Sequence, residues 1–427
     1  MLLSFIYDLL LLLLGLVALP KLLWHRIKLG KYRKSLGERL GWRLPPAIEK
    51  GEGRVVWIHA VSVGETKAVA PLYKKIRSEM PDAKIVISCV TETGLAEAGR
   101  SLPAADSYFF LPIDFSWLIK RILHRIQPDL LILVEGEFWY HLLKFTKLSG
   151  AQIALVNGKL SERSFKRFKL FGFFSKLLFS YFDKFCLQSS RYYERFLELG
   201  ISPEKLLITG NLKLDISPVE LTDAERATWQ DELGIKRDDR VLVIGSSHDP
   251  EEEWLLSALD KVWIEIPKLK VLIVPRHPER FSKVAAQLKA RGLSIITYTE
   301  RAFKKGDERV ILIDAMGKLL NCFQLAELAI MGGSFVSHVG GHNIFEPVQV
   351  GVPVIFGPHM HTQLDLVDLA ITSGAGIQVP LASLPETILD LLQNPSRWKQ
   401  AHHSCLNVTR EARGSTERTW QTLKPLL

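Results

Sequence analysis

Two hydrophobic patterns alternate along the chain. Short, continuous apolar runs rich in β-branched residues recur, and each is followed by a longer stretch with helical spacing. The first half contains Arg54–Ser62, Lys84–Val90, Asp129–Glu135, Gln152–Asn157 and Lys184–Gln188, with Lys205–Lys213 closing the series. The second half contains Arg240–Ser246, Lys270–Arg276, Ser294–Tyr298, Val310–Asp314, Leu328–Gly332 and Val352–Phe356. Strands apolar on both faces, separated by helices, predict parallel sheets covered on both sides. Two such series predict an α/β protein of two Rossmann-like doubly wound domains with a cleft between them. The polar stretch Asp215–Asp231, with Pro218 and several acids, sets the boundary, giving domains over 51–215 and 216–427. The last helix is expected to pack back on the first domain.

A third pattern stands alone at the start. Met1–Leu19 is almost continuously apolar, interrupted by Asp8, and Leu9–Leu14 is unbroken leucine. About 20 helical residues at about 1.5 Å each would cross a hydrocarbon core of about 30 Å. No Lys or Arg precedes the run, and Pro20-Lys21 follows where a signal peptide would place small residues. Residues 1–20 therefore read as a membrane anchor and 21–50 as its basic flank, with the remainder on the cytoplasmic side. The pattern leaves open whether the anchor spans the bilayer or only enters it.

Composition narrows the class. In 427 residues, 47% hydrophobic and 24% charged, a disordered or collagen-like chain is excluded. The single long apolar run excludes a polytopic membrane protein. Cys89, Cys186, Cys322 and Cys405 lie far apart, which argues against a disulfide framework or zinc site. The net charge of +9 is concentrated: residues 21–43 carry +7 and residues 159–176 carry +5, leaving the rest at −3. Within the second cluster, Ser164–Phe182 reads SFKRFKLFGFFSKLLFSYF. Interleaved rings and cations suit a lipid interface, single-stranded nucleic acid, or a helix whose Phe face is simply core. The leucine run upstream favours anionic lipid, and no nucleic-acid partner is expected.

Ligands of open α/β sheets bind beyond the carboxyl ends of the strands, so chemistry is sought there. After the first strand, Glu65 would open a helix, whose amino-terminal dipole would keep it ionised. It reads either as a general base or as an ordinary first-turn acid. In Val134-Glu135-Gly136-Glu137, period 2 places both acids on one side if the strand continues. They would handle a sugar or a developing cation, or be solvated loop acids. Lys213 adds a cation in Gly210-Asn211-Leu212-Lys213, at the end of Lys205–Lys213. In the second half, Gly245-Ser246-Ser247-His248, Pro275-Arg276-His277, Met331-Gly332-Gly333-Ser334 and Gly340-Gly341-His342-Asn343 follow strands. Glycines let a phosphate approach the backbone, and Glu346, one turn into the next helix, would accept from ribose hydroxyls. Together these turns point to a nucleotide-linked ligand. His359 and His361 have no partner at metal-ligand spacing.

The motifs WIHAVSVGE (57–65), VEGEFW (134–139), TGNLK (209–213), PRHPERF (275–281), DAMGKL (314–319), MGGSF (331–335) and GGHNIFEP (340–347) give the chain a specific resemblance. It resembles the 3-deoxy-D-manno-octulosonate (Kdo) transferases of lipid A biosynthesis, from the apolar amino terminus to about residue 420. The resemblance implies an inverting glycosyltransferase of GT-B fold, with an acceptor domain followed by a nucleotide-sugar domain. It implies CMP-Kdo as donor, a lipid A precursor (lipid IVA) as acceptor, the inner membrane as location, and neither cofactor nor metal. By motif, Glu65 matches the proton acceptor, and Glu135 and Lys213 the transition-state stabilisers. CMP contacts fall on Arg276, His277, Met316, Gly317, Lys318, Asn343, Ile344, Phe345 and Glu346. Gly136 and Tyr140 stand where the family usually has Thr and Pro, Lys318 where an acid is common, and 357–363 also departs. A nucleotide-sugar hydrolase or epimerase of the same fold, and a non-enzymatic membrane adaptor, are the competing readings.

Overall fold

Parallel pairing dominates the computed structural model, which describes residues 2–29, 35–49 and 51–427. In the first sheet, β1 (Val55–His59), β2 (Lys84–Cys89), β3 (Ser107–Phe110), β4 (Leu130–Val134), β5 (Gln152–Gly158), β6 (Lys184–Leu187) and β7 (Leu206–Ile208) lie in the order β3-β2-β1-β4-β5-β6-β7. The second sheet holds β8 (Arg240–Ser247), β9 (Leu269–Pro275), β10 (Ile295–Thr297), β11 (Val310–Leu312), β12 (Leu328–Met331), β13 (Val354–Phe356) and β14 (Gly376–Gln378). Its order is β10-β11-β9-β8-β12-β13-β14. Two strands, β3 and β14, were not expected from the apolar pattern. Both are edge strands, and SYFF and GIQ are too short and mixed to register as buried runs.

Alternation along β1 shows why both faces are covered. Val55 and Trp57 enter one apolar cluster, with helix Ser116–Ile126 and helix Tyr140–Leu148, while Val56 and Ile58 enter another with helix Val63–Glu79. All four are fully buried. A strand buried on both faces must be apolar at every position, and that is the pattern visible in the sequence. In each sheet the winding reverses beside the first strand, between β1 and β4 and again between β8 and β12. A switch point of this kind opens a crevice at the carboxyl ends.

The chain forms two compact units, Met1–Ile216 with Ala412–Leu427, and Ser217–Glu411. In the first unit, helix Ser415–Leu423 inserts Trp420 and Leu423 into the cluster containing Leu212. Asp215 Oδ1 accepts from the N–H groups of Gly414 (2.8 Å) and Ser415 (3.3 Å), which ties this helix start to the end of the first domain.

The amino-terminal helix runs from Leu2 to Leu29 through Pro20. Of the expected basic flank, Lys31, Arg33 and Lys34, and the side chains of Lys21 and Arg26, lie outside the described residues. The aromatic-basic segment divides in two. Phe165, Phe168 and Phe174 pack against the core and Phe179 and Phe182 are inside it, whereas Leu170, Phe171 and Phe173 are exposed. The core reading thus describes the buried rings, and an exposed apolar turn remains beside them.

Candidate functional site

The site of the first unit is built on the ends of β1, β4 and β5. Beyond β1 the chain turns through Val61 and Ser62 into helix Val63–Glu79, with Glu65 in its first turn. The Glu65 carboxylate reaches back: Oε2 accepts from Val61 N–H (2.7 Å) and Oε1 from the Ser62 hydroxyl (3.1 Å). The helix start was expected to keep Glu65 ionised, and the structure corrects this. Burial, reinforced by the charges of Glu135 and Glu137, pushes its pKa up to about 7 against these hydrogen bonds. Desolvation and two neighbouring acids outweigh one helix terminus. A carboxyl in that range can take a proton near neutral pH and also return it.

Glu135 departs from expectation in geometry. β4 ends at Val134, and Glu135 has φ +66°, in the left-handed region, so period 2 does not carry through to Glu137. A non-glycine residue held there is strained and is fixed by its surroundings. Its N–H donates to Val156 O (3.0 Å) and its carbonyl accepts from Lys159 N–H (2.9 Å). The carboxylate is buried, not a solvated loop acid. It accepts from Lys213 Nζ (2.7 Å), pairs with Lys159 Nζ, and lies 3.4 Å from Asn157 Nδ2. Burial alone would raise its pKa, but the two lysines prevail and hold it below the usual carboxylate range. Glu137 has no such partners, and burial raises it.

Asn157 and Lys159 complete this cluster and were not singled out as site residues from sequence. Asn157 is fully buried at φ +52° near the end of β5. Its Oδ1 accepts from Leu212 N–H (2.9 Å), which sets the short turn carrying Lys213. The Asn-Gly pair at 157–158 was the available signal, since Asn tolerates the left-handed region at strand ends.

In the second unit the strand-end turns meet around β8 and β12. Gly332 lies so close to Ser246 and Ser247 that a Cβ would sit 2.6 Å from their backbones, and Gly333 has φ +68°. Only glycines let these turns touch. His248 and His342 stack with their Nε2 atoms 2.8 Å apart, one donating and one accepting, and His277 meets His248 edge-on at 5.2 Å. Burial and the surrounding histidines and arginines lower both His248 and His342 to about 4. Arg276 and His277 are exposed at the end of β9.

The remaining CMP residues differ in what they present. Met316 is exposed and Gly317 has φ +77°, while Lys318 Nζ lies 5.6 Å and 5.5 Å from the ring centres of Trp229 and Tyr298. Ile344 and Phe345 are fully buried, so their side chains belong to the core. Glu346 lies in the first turn of a four-residue helix, Phe345–Val348, not one turn into a longer one. Its dipole is correspondingly small. Asn343 Oδ1 accepts from Phe345 N–H (3.1 Å), and Asn343 Nδ2 is 3.5 Å from Glu346 Oε1.

Two doubly wound parallel domains with polar groups at the carboxyl ends of their strands define the GT-B class of glycosyltransferases and related epimerases. The fold matches the UDP-GlcNAc 2-epimerase of Neisseria meningitidis (TM-score 0.62, 13% identity, 86% of this chain and 100% of that one). It also matches a glycosyltransferase of Rickettsia africae (TM-score 0.60, 13% identity, 88% and 98%). At such identity the likeness concerns the fold alone. Sequence decides the family. Residues 34–216 match the family model described as 3-deoxy-D-manno-octulosonic-acid transferase (kdotransferase). The chain is 36% identical to the 3-deoxy-D-manno-octulosonic acid transferase of Chlamydophila psittaci (99% of this chain, 96% of that one), and 30% identical to that of Haemophilus influenzae (94% and 93%). It belongs to the Kdo transferase family and is a glycosyltransferase.

Proposed function

We propose that this enzyme transfers Kdo from CMP-Kdo to a lipid A precursor of the lipid IVA type, with inversion, at the cytoplasmic face of the inner membrane. The observation that carries the reading is Glu65, pushed up to about 7 just beyond strand β1 beside the Glu135–Lys213 pair. Glu65 takes the proton from the acceptor hydroxyl as its oxygen bonds to the anomeric carbon of Kdo. The bond from that carbon to the phosphate oxygen breaks, and CMP leaves with the electron pair. Glu135 and Lys213 stabilise the oxocarbenium-like transition state and the anions around it.

Arg276, His277, the 316–318 turn and Asn343–Glu346 hold CMP. CMP carries a single phosphate, so the reading calls for no divalent ion to bridge a diphosphate. Incubation with CMP-Kdo and a tetra-acylated, bis-phosphorylated lipid A precursor, followed by mass analysis, tests the reading and counts the sugars added. CMP release without any change in acceptor mass would instead make the protein a hydrolase.

A further inference from the structure

The amino-terminal helix is attached at its beginning. Tyr7 packs edge-on against Tyr140 (5.2 Å) and His141 (4.8 Å), and its hydroxyl hydrogen-bonds the Asp114 carboxylate. Asp8 Oδ1 accepts from Ser116 N–H (2.9 Å), at the start of helix Ser116–Ile126. Ser4 Oγ accepts from Lys144 Nζ (2.7 Å), and Leu3 joins Tyr7 against the core of the first domain. These groups explain the one acid in the apolar run: Asp8 has a docking partner and no need of a place in lipid. Beyond Asp8 the helix leaves the domain. Apart from half-buried Leu11, its leucines and Val17 are bare, from 46% exposed at Leu9 to 81% at Val17.

The chain is attached again soon after the helix. Ser35 N–H and Oγ both donate to Glu92 Oε1, and Glu38 Oε2 accepts from Phe110 N–H (2.7 Å). Residues 3–8 and 35–39 are therefore held by one and the same folded unit, and a segment whose two ends lie on one domain cannot cross a bilayer. Length agrees. The bare stretch Leu9–Leu19 measures about 17 Å along a helix, about half of a hydrocarbon core of about 30 Å.

We propose that the protein is monotopic: Leu9–Leu19 sits in one leaflet, the amino terminus stays on the same side as the domain, and the exposed turn Leu170–Phe173 enters that leaflet beside it. Tyr140 links the two elements, since its ring contacts Tyr7 on one side and Phe174 (5.7 Å) on the other. Lys166, Lys169 and Lys176 follow or precede that turn and supply charge for anionic headgroups. The inference rests on the membrane location proposed above and fixes its geometry.

Leu2 is exposed and the four native cysteines are buried, so Leu2→Cys in the full chain is a clean reporter. In membranes, a membrane-impermeant maleimide should label it in inside-out vesicles and leave it unlabelled in intact spheroplasts. Labelling from outside spheroplasts would overturn the proposal. A Ser4→Cys/Lys144→Cys pair should be joined by a short bismaleimide in the same membranes, and absence of the cross-link would count equally against docking. Phe171→Ser/Phe173→Ser should weaken binding to phosphatidylglycerol–phosphatidylethanolamine vesicles about tenfold, and unchanged binding would remove the turn from the interface. Recovery of the whole protein in the soluble fraction would refute the membrane location itself, a result separable from the other three.

Discussion

Glu65 and Glu251 occupy corresponding places, in the first turn of the helix after the first strand of their sheets, β1 and β8. Their surroundings differ. Glu251 is fully buried and accepts three backbone N–H groups, from His248 (3.0 Å), Gly333 (2.6 Å) and Phe335 (2.9 Å). Beside it Glu252 accepts a two-pronged Arg280 guanidinium (2.6 and 2.9 Å) and the Ser247 hydroxyl. These acids fasten three strand-end turns together. Glu65 accepts one backbone N–H and one hydroxyl, stays partly open, and faces two further acids. The same residue at the same topological position is a structural clamp where donors surround it, and is the proton acceptor of the proposed reaction where burial and neighbouring acids raise its pKa.

Removing each acid's charge should separate the two roles most sharply. Glu65→Gln should lower the transfer rate about 10³-fold, in the range of general bases, with CMP binding unchanged in a direct binding assay. Its stability should not suffer. Because the folded pKa lies above the ordinary value of 4.5, the native state binds more protons between about 4.5 and 7, and stability falls as pH rises through that window. At pH 8 the Gln variant should melt at or above the wild type. Glu251→Gln should behave in the opposite way. One oxygen cannot serve three N–H groups held on two, and a cost of about 3 kcal/mol is expected. Calorimetry should show the melting temperature lower by roughly 10 °C, together with weakened CMP binding.

The difference between the two acids was only half legible in the sequence. Strand cores were visible because both-face burial forces apolar runs, and the strands that escaped, β3 and β14, are edges that need no such run. Glu65 could be placed by its distance from a strand end. Its pKa could not, because that depends first on burial in the folded site and then on Glu135 and Glu137, some 70 residues away. Lys159 read as part of a basic cluster, yet its amine pairs with buried Glu135. Glu251 and Glu252 stand in a run of three first-turn acids. Their partners arrive from residues 280, 333 and 335, and no local pattern announces them.

The pH profile of wild-type transfer is the next test. Glu65 must be ionised to accept a proton, so kcat/KM should rise about tenfold per pH unit below about 7 and level off above it. Absence of any inflection in that region, in an enzyme still disabled by Glu65→Gln, would assign the residue to positioning and not to proton transfer.

The smallest expected effect distinguishes the two acids that perturb Glu65. Both raise its pKa by like charge, with Glu135 the stronger of the two. Glu135→Gln removes that charge and leaves Lys213 and Lys159 unneutralised beside the site, so the inflection should move to lower pH. The ceiling rate should also fall, because the pair with Lys213 is lost. Glu137→Gln also removes a negative charge, but no lysine is released with it. Burial raises the Glu137 pKa, so it holds its charge less readily than a solvated acid, whereas its lysines keep Glu135 ionised. Its inflection should therefore move down by less than that of Glu135→Gln, with the plateau rate largely kept. If the shift were equal or larger, Glu137 and not the lysine-paired acid would be the group that tunes the base.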